Sequence, residues 1–220
     1  MCWSATADLV AGAGIAAVGV ASVAMVARAG RGRDLPLAAL PLLLGAHQIV
    51  ESLVWHADGG SGPATLFWAV IALPLLPLWV PAAVLCAAPT SARHRLLLPL
   101  AVGIVTSAVL AYSLATHEVT AGIRDHTVGY GIDLSHPAPL VTGYLLATVG
   151  SLLLSGDRRL VLFGLLAGAG APVCWALWRL EFVSTWCALA ALCSLALLGW
   201  ARRGGRPVRP GYGGRGVERG

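Results

Sequence analysis

Seven stretches of apolar sequence, each close to the length of a bilayer-crossing helix, follow one another through this chain with short polar breaks between them. A bilayer core takes about 20 apolar residues of helix. The stretches run over about 5–27, 35–56, 64–87, 96–116, 138–155, 159–178 and 182–201. The fifth is the shortest. The breaks are turn-rich and polar: RAGRGRD, ADGGSGP, PTSARHR, SGDRR and WRLE, with one long segment, HEVTAGIRDHTVGYGIDLSHP, between the fourth and fifth. Only 11% of the residues are charged, against roughly 25% in an average soluble domain. The expectation is an all-α membrane protein with seven transmembrane helices over residues 1–201, followed by a basic, Gly/Arg-rich disordered tail over 202–220. The N-terminus, MCWSATAD, lacks the basic region and cleavage site of a signal peptide, so the first span is expected to be retained.

Arginine supports that count. All fifteen basic residues are Arg, and thirteen fall in the first, third and fifth breaks or in the tail; only Arg124 and Arg179 fall elsewhere. An even number of spans does not give this alternation. The positive-inside rule then places the N-terminus outside and the C-terminus in the cytoplasm, for a multi-pass protein of the cell membrane. The Arg-rich tail is matched to anionic lipid, and no nucleic-acid partner is needed to explain it. The five cysteines are scattered through apolar runs with no CxxC pair and read as small buried hydrophobes. Gly12, Gly14 and Gly19, and Gly164 with Gly168, permit close helix packing. Pro74, Pro77 and Pro81 are expected to kink the third span.

The polar residues inside the spans gather in the outer half. His47, Glu51 and Trp55 are spaced i, i+4, i+8 and share a helix face. At ~1.5 Å per residue, Glu51 lies about 7 Å and His47 about 13 Å below the outer end of the second span. Asp8 lies within a turn of the outer end of the first. Trp68, Tyr112, Tyr144, Trp175, Trp178, Glu181 and Trp186 fall at similar outer depth. A carboxylate at bilayer depth costs on the order of 2.5–3.5 kcal/mol on insertion scales, so its default reading is functional. The plain structural alternatives are Glu51 hydrogen-bonded to His47 or a neighbouring Ser/Thr as helix glue, Asp8 as an N-terminal helix acid, and each Trp as part of an interfacial belt.

A carboxyl desolvated in an apolar pocket keeps its proton near neutral pH, and aromatic faces stabilise nearby positive charge. Together they supply what acid-initiated isoprenoid cyclisation needs, with no metal or cofactor. Glu51 is the first candidate for the acid and Asp8 the second. His47 would orient Glu51 or take the last proton. Trp55, Trp68, Tyr112, Tyr144, Trp175, Trp178, Glu181 and Trp186 would contact an isoprenoid-type substrate, and the 117–137 segment would act as a lid. Two other classes stay open. One is a metal-dependent hydrolase of lipid-like substrates using His47, Asp8 and loop histidines, although no HxxxH or HExxH pair occurs. The other is a non-enzymatic binding or transport protein; the chain shows no convincing internal repeat of the transporter kind.

The opening MCWSATA, the Leu/Pro-rich second span closing on Gln48, Glu51 and Trp55, and the Trp186–Cys187 pair resemble a bacterial family of uncharacterised seven-span proteins. That resemblance covers most of 1–200 and implies the fold. In size and span number the chain is also similar to actinobacterial membrane terpene cyclases of drimentine-type pathways, which implies cyclisation of a farnesylated small molecule. The Asp-rich DxDD and DDxxD motifs of soluble terpene cyclases are absent.

Overall fold

The computed structural model describes residues 4–124, 126–134, 136–179 and 181–203. Most of the expected tail, together with Met1, Cys2 and Trp3, lies outside the described residues. Seven helical segments follow in order: α1 (Ala5–Arg28), α2 (Gly32–His56), α3 (Pro63–Ala87), α4 (Thr90–Thr116), α5 (Pro137–Leu153), α6 (Arg158–Leu177) and α7 (Phe182–Arg202). Among the described residues six of these are long and apolar enough to cross a membrane; α5 is apolar but shorter. Large apolar side chains such as Val10, Leu98, Val105 and Val173 are exposed on the outside of the bundle, as a lipid-facing surface requires.

Local chemistry sets the helix limits. Ser4 caps α1 by accepting from the Ala7 N–H, and Asp157 caps α6 by accepting from Arg159 and Leu160 N–H groups. Pro41 has no N–H to return to Leu37, and α2 is interrupted at Ala39 just before it. The closest helix pair is α1 with α2. A Cβ at Gly12 would sit 2.8 Å from the Gly45 oxygen, one at Gly19 2.3 Å from the Leu42 nitrogen, and one at Gly45 2.5 Å from the Ala16 nitrogen. These distances are possible only for glycine, and they bring the two backbones into direct contact. Gly14 has open space around it and takes no part.

The prolines of α3 act through hydrogen-bond register. Around Pro74 the helix widens to a π turn, Ile71–Leu75, in which the Leu76 N–H returns to the Ile71 oxygen. The next carbonyl, Ala72, therefore faces Pro77, which has no N–H. The Tyr144 hydroxyl donates to it at 2.6 Å, and the Ser107 hydroxyl donates to the Pro74 oxygen. Around Leu146–Gly150 the facing α5 has a π turn of its own, where the Thr148 hydroxyl donates to the Tyr144 carbonyl. Tyr144→Phe removes the one side-chain donor to the Ala72 oxygen among the described residues and is expected to cost about 1–3 kcal/mol, read as a lower melting temperature in detergent.

The 117–137 segment is not a featureless loop. It folds into an antiparallel hairpin, β1 (Thr120–Arg124) and β2 (Thr127–Gly131), with Ala121 opposite Tyr130. Gly60 in the α2–α3 turn bridges to Ala121 through both backbone hydrogen bonds, 2.8 and 2.9 Å. Val119, Ala121 and Val128 are buried beneath the hairpin, which therefore covers the end of the bundle where Glu51 lies. His117, His126 and His136 are exposed there. Of the cysteines, Cys174 and Cys187 are buried, Cys193 is half-buried and Cys86 is exposed.

Candidate functional site

The α1–α2 contact carries the first part of the site. It places Asp8 beside Trp55, whose indole N–H donates to Asp8 Oδ2 at 2.9 Å. One turn further into the bundle, Glu51 reaches across to α7. Its Oε1 accepts from the Ser184 hydroxyl at 2.5 Å, and its Oε2 lies 3.4 Å from Gln48 Nε2 on its own helix. Asp8 is close enough for the two carboxyls to interact electrostatically. Asp8, His47, Gln48, Glu51 and Ser184 are all 0% exposed.

His47 does not orient Glu51. Neither of its ring nitrogens has a hydrogen-bond partner among the described residues; its ring lies instead 4.9 Å from the Trp68 ring, tilted by 36°. The Trp68 indole N–H approaches the Glu51 carboxyl without reaching good hydrogen-bond geometry. Asp8 Oδ1 and Gln48 Oε1 are likewise without a partner. Buried polar atoms are nearly always paired, because each one left unpaired costs about 1–3 kcal/mol. Several of them around one carboxyl mark a place built to meet a polar group or a reacting one. Among the described residues no three His, Cys, Asp or Glu side chains converge as a metal ion needs, so His47, Asp8 and the loop histidines stand apart.

Beside this cluster lies an apolar cleft of about 150 Å³ between α4, α5, α7 and the hairpin. Tyr130, Tyr144, Phe182 and Trp186 give it aromatic walls; Leu73, Ile132 and Leu140 complete its apolar character. Tyr144 meets Trp186 edge-on at 5.7 Å, Phe182 stacks on Trp186 at 6.0 Å, and the Trp186 N–H is held by the Ala167 oxygen at 2.9 Å. A second, much smaller apolar cavity of about 40 Å³ continues deeper, and Tyr144 and Trp186 line both. Glu51 is not in the cleft wall. Trp68 stands next to it, and the Tyr130 ring stacks on Trp68 at 3.4 Å with planes 5° apart, so the stack lies between acid and cleft.

The sequence-based set therefore divides. Glu51, Asp8, Trp55, His47 and Trp68 come together, and Tyr144 and Trp186 line the cleft. Tyr112 and Trp175 do not belong: they are 69% and 53% exposed on the outside of the bundle. Tyr112 shares its α4 face with the exposed Val105 and Val109, and Trp175 packs against the Arg179 guanidinium at 4.6 Å, as an interfacial aromatic does. Trp178 and Glu181 are half-buried and line neither cavity. Sequence reasoning left out Gln48, Ser184, Tyr130 and Phe182. Ser184 had a readable signal: with Cys187, Ala188 and Ala191 it forms the small, buried stripe of α7. Tyr130 had a weaker one, the alternation of Val128, Tyr130 and Ile132.

No curated protein and no solved structure matches the chain. A family does match, over residues 1–211, and it takes in both the buried cluster and the cleft. The chain belongs to that family, a family of unknown function designated DUF6629.

Proposed function

We propose that this protein crosses the membrane seven times, with α5 as the short fifth span and the Arg-rich end in the cytoplasm, and that it cyclises a prenylated, farnesyl-type small molecule by protonation. The observation that carries the reading is the fully buried Glu51, in a cluster of incompletely paired polar groups, one stacked aromatic pair away from an aromatic-walled apolar cleft. The apolar lining of the cleft matches the chemistry of an isoprenoid chain, and its ring faces suit a carbocation.

In this reading Tyr130 leaves Trp68 as the hairpin moves, and the terminal alkene of the substrate reaches Glu51. The uncharged Glu51 acid gives its proton to the less substituted alkene carbon, and the π pair forms the new C–H bond. A second alkene closes a ring onto the resulting tertiary cation. The last cation loses a proton to His47 or back to the Glu51 carboxylate, so the product is an isomer of the substrate. His47 is suited to the acceptor role because its ring nitrogens are uncommitted. Ser184 holds Glu51 in place.

The test is mass spectrometry of membranes containing the protein, incubated with farnesylated indole and farnesylated diketopiperazine, each as alkene and as epoxide, with and without EDTA. The expected result is a product of unchanged mass and new retention that persists in EDTA. Absence of product from all four substrates overturns the reading. A second reading, a non-enzymatic protein that binds an apolar ligand, is favoured by the position of Glu51 behind the Trp68–Tyr130 stack. Tight binding of those substrates without conversion is its signature.

A further inference from the structure

At the opposite end of the bundle, the turns after α1, α3 and α5 and the end of α7 enclose a polar hollow of about 430 Å³. Arg31, Asp34, Asp157, Arg158, Arg159 and Trp200 line it. Both acids are already committed. Asp34 accepts from Arg31 Nε at 2.6 Å, and Asp157 accepts from the α6 N–H groups of Arg159 and Leu160 at 2.8 and 3.4 Å. Arg31 is held further by the Ala201 oxygen at 3.0 Å and by the Trp200 face at 5.1 Å. The guanidinium groups of Arg158 and Arg159 have neither an ion-pair nor a hydrogen-bond partner among the described residues, and the same is true of Arg95 beside them.

Two glycines make room for this gathering of like charge. A Cβ at Gly199 would lie 2.3 Å from Arg159 Nη1, and a Cβ at Gly156, whose φ is +80°, would lie 2.9 Å from Arg95 Nη2. Positive charge at the cytoplasmic ends of spans is usual, but a diffuse charge needs no concavity and no missing side chains to seat it. We infer that this hollow is a binding site for a phosphate-bearing anion, with Arg158, Arg159 and Arg95 as its donors and Arg31 as its fixed wall. Guanidinium groups match phosphate oxygens in charge and planar geometry. The site does not depend on the reaction assigned to Glu51.

The experiment uses the full chain in neutral detergent and follows thermal stabilisation during titration with three probes: dioctanoyl phosphatidylglycerol, inorganic pyrophosphate and dioctanoyl phosphatidylcholine. Saturable stabilisation by phosphatidylglycerol alone identifies a lipid headgroup as the source of the phosphate. An equal response to pyrophosphate identifies a soluble one. The R158Q/R159Q double variant is expected to weaken the binding about tenfold or more, whereas R28Q/R33Q, which removes the same charge outside the hollow, changes it less than about twofold. Gly199→Ala keeps every charge but displaces Arg159, and is expected to weaken binding as well. Equal losses in the two double variants would reduce the site to diffuse electrostatics and overturn the inference. So would stabilisation by phosphatidylcholine equal to that by phosphatidylglycerol, or no response to either anion.

Discussion

Glu51→Gln is expected to lower product formation by about 10²–10⁴-fold, the range for removal of a general acid, while the protein still inserts, purifies and melts near the wild-type temperature. The amide has the shape of the acid, and its oxygen still accepts from Ser184, so the link from α2 to α7 survives. What it lacks is a proton to give. The variant thus separates glue from chemistry, because a purely structural Glu51 tolerates this change with its activity intact. Retained turnover in a well-folded Glu51→Gln protein would remove Glu51 from the mechanism. Trp175→Phe is the matching control: its ring is on the outside of the bundle, and turnover should not change.

The second large effect is on stability. Gly45→Ala adds a single methyl group, yet its Cβ would lie 2.5 Å from the Ala16 nitrogen and 2.8 Å from the Ala16 Cα. These are backbone atoms of α1, so no side-chain rotation relieves the clash, and the helices must separate. Overpacking costs typically about 1–3 kcal/mol where side chains can yield, and the cost here should reach or exceed the upper end of that range. Separation also draws Asp8 away from Trp55, so the damage extends into the site. Size-exclusion and thermal melting in detergent measure it: Gly45→Ala should melt well below wild type or aggregate. Gly14→Ala, on the facing helix α1 with nothing within 4 Å, should melt at or slightly above wild type. Equal melting of the two variants would show that α1 and α2 do not pack through these glycines.

The six long apolar helices and the shorter α5 could be read from the sequence because each is a run of apolar residues bounded by Gly, Pro and Arg, and length alone separates them. Glu51 and His47 could be read because an ionisable residue inside such a run is costly wherever it points. Direction could not. On a helix that is apolar all round, neither lipid-facing nor core-facing positions have a compositional signature, so Tyr112 and Trp175 looked equivalent to Tyr144 and Trp186. The hairpin was missed for another reason. Its strands are short and carry Gly122, Gly129 and Gly131, and they gain their stability from Gly60 and the buried Val128, which are tertiary contacts. Gln48 went unassigned because a neutral polar residue in a span is common and only the position of Glu51 gives it a role, whereas Ser184 could have been picked out by the small-residue spacing it shares with Cys187, Ala188 and Ala191.

The bond from Tyr144 to the Ala72 oxygen has a consequence for descent within the family. The oxygen needs an outside donor only because Pro77 cannot supply one and the π turn has shifted the register. A lineage that replaces Pro77 with an ordinary residue regains an N–H and releases Tyr144 to become Phe or Leu. A lineage that loses Tyr144 first inherits a buried, unanswered carbonyl. The order of replacement is therefore fixed, with 77 before 144: Tyr144 should be found replaced only where Pro77 is replaced too, although the two lie 67 positions apart in the chain.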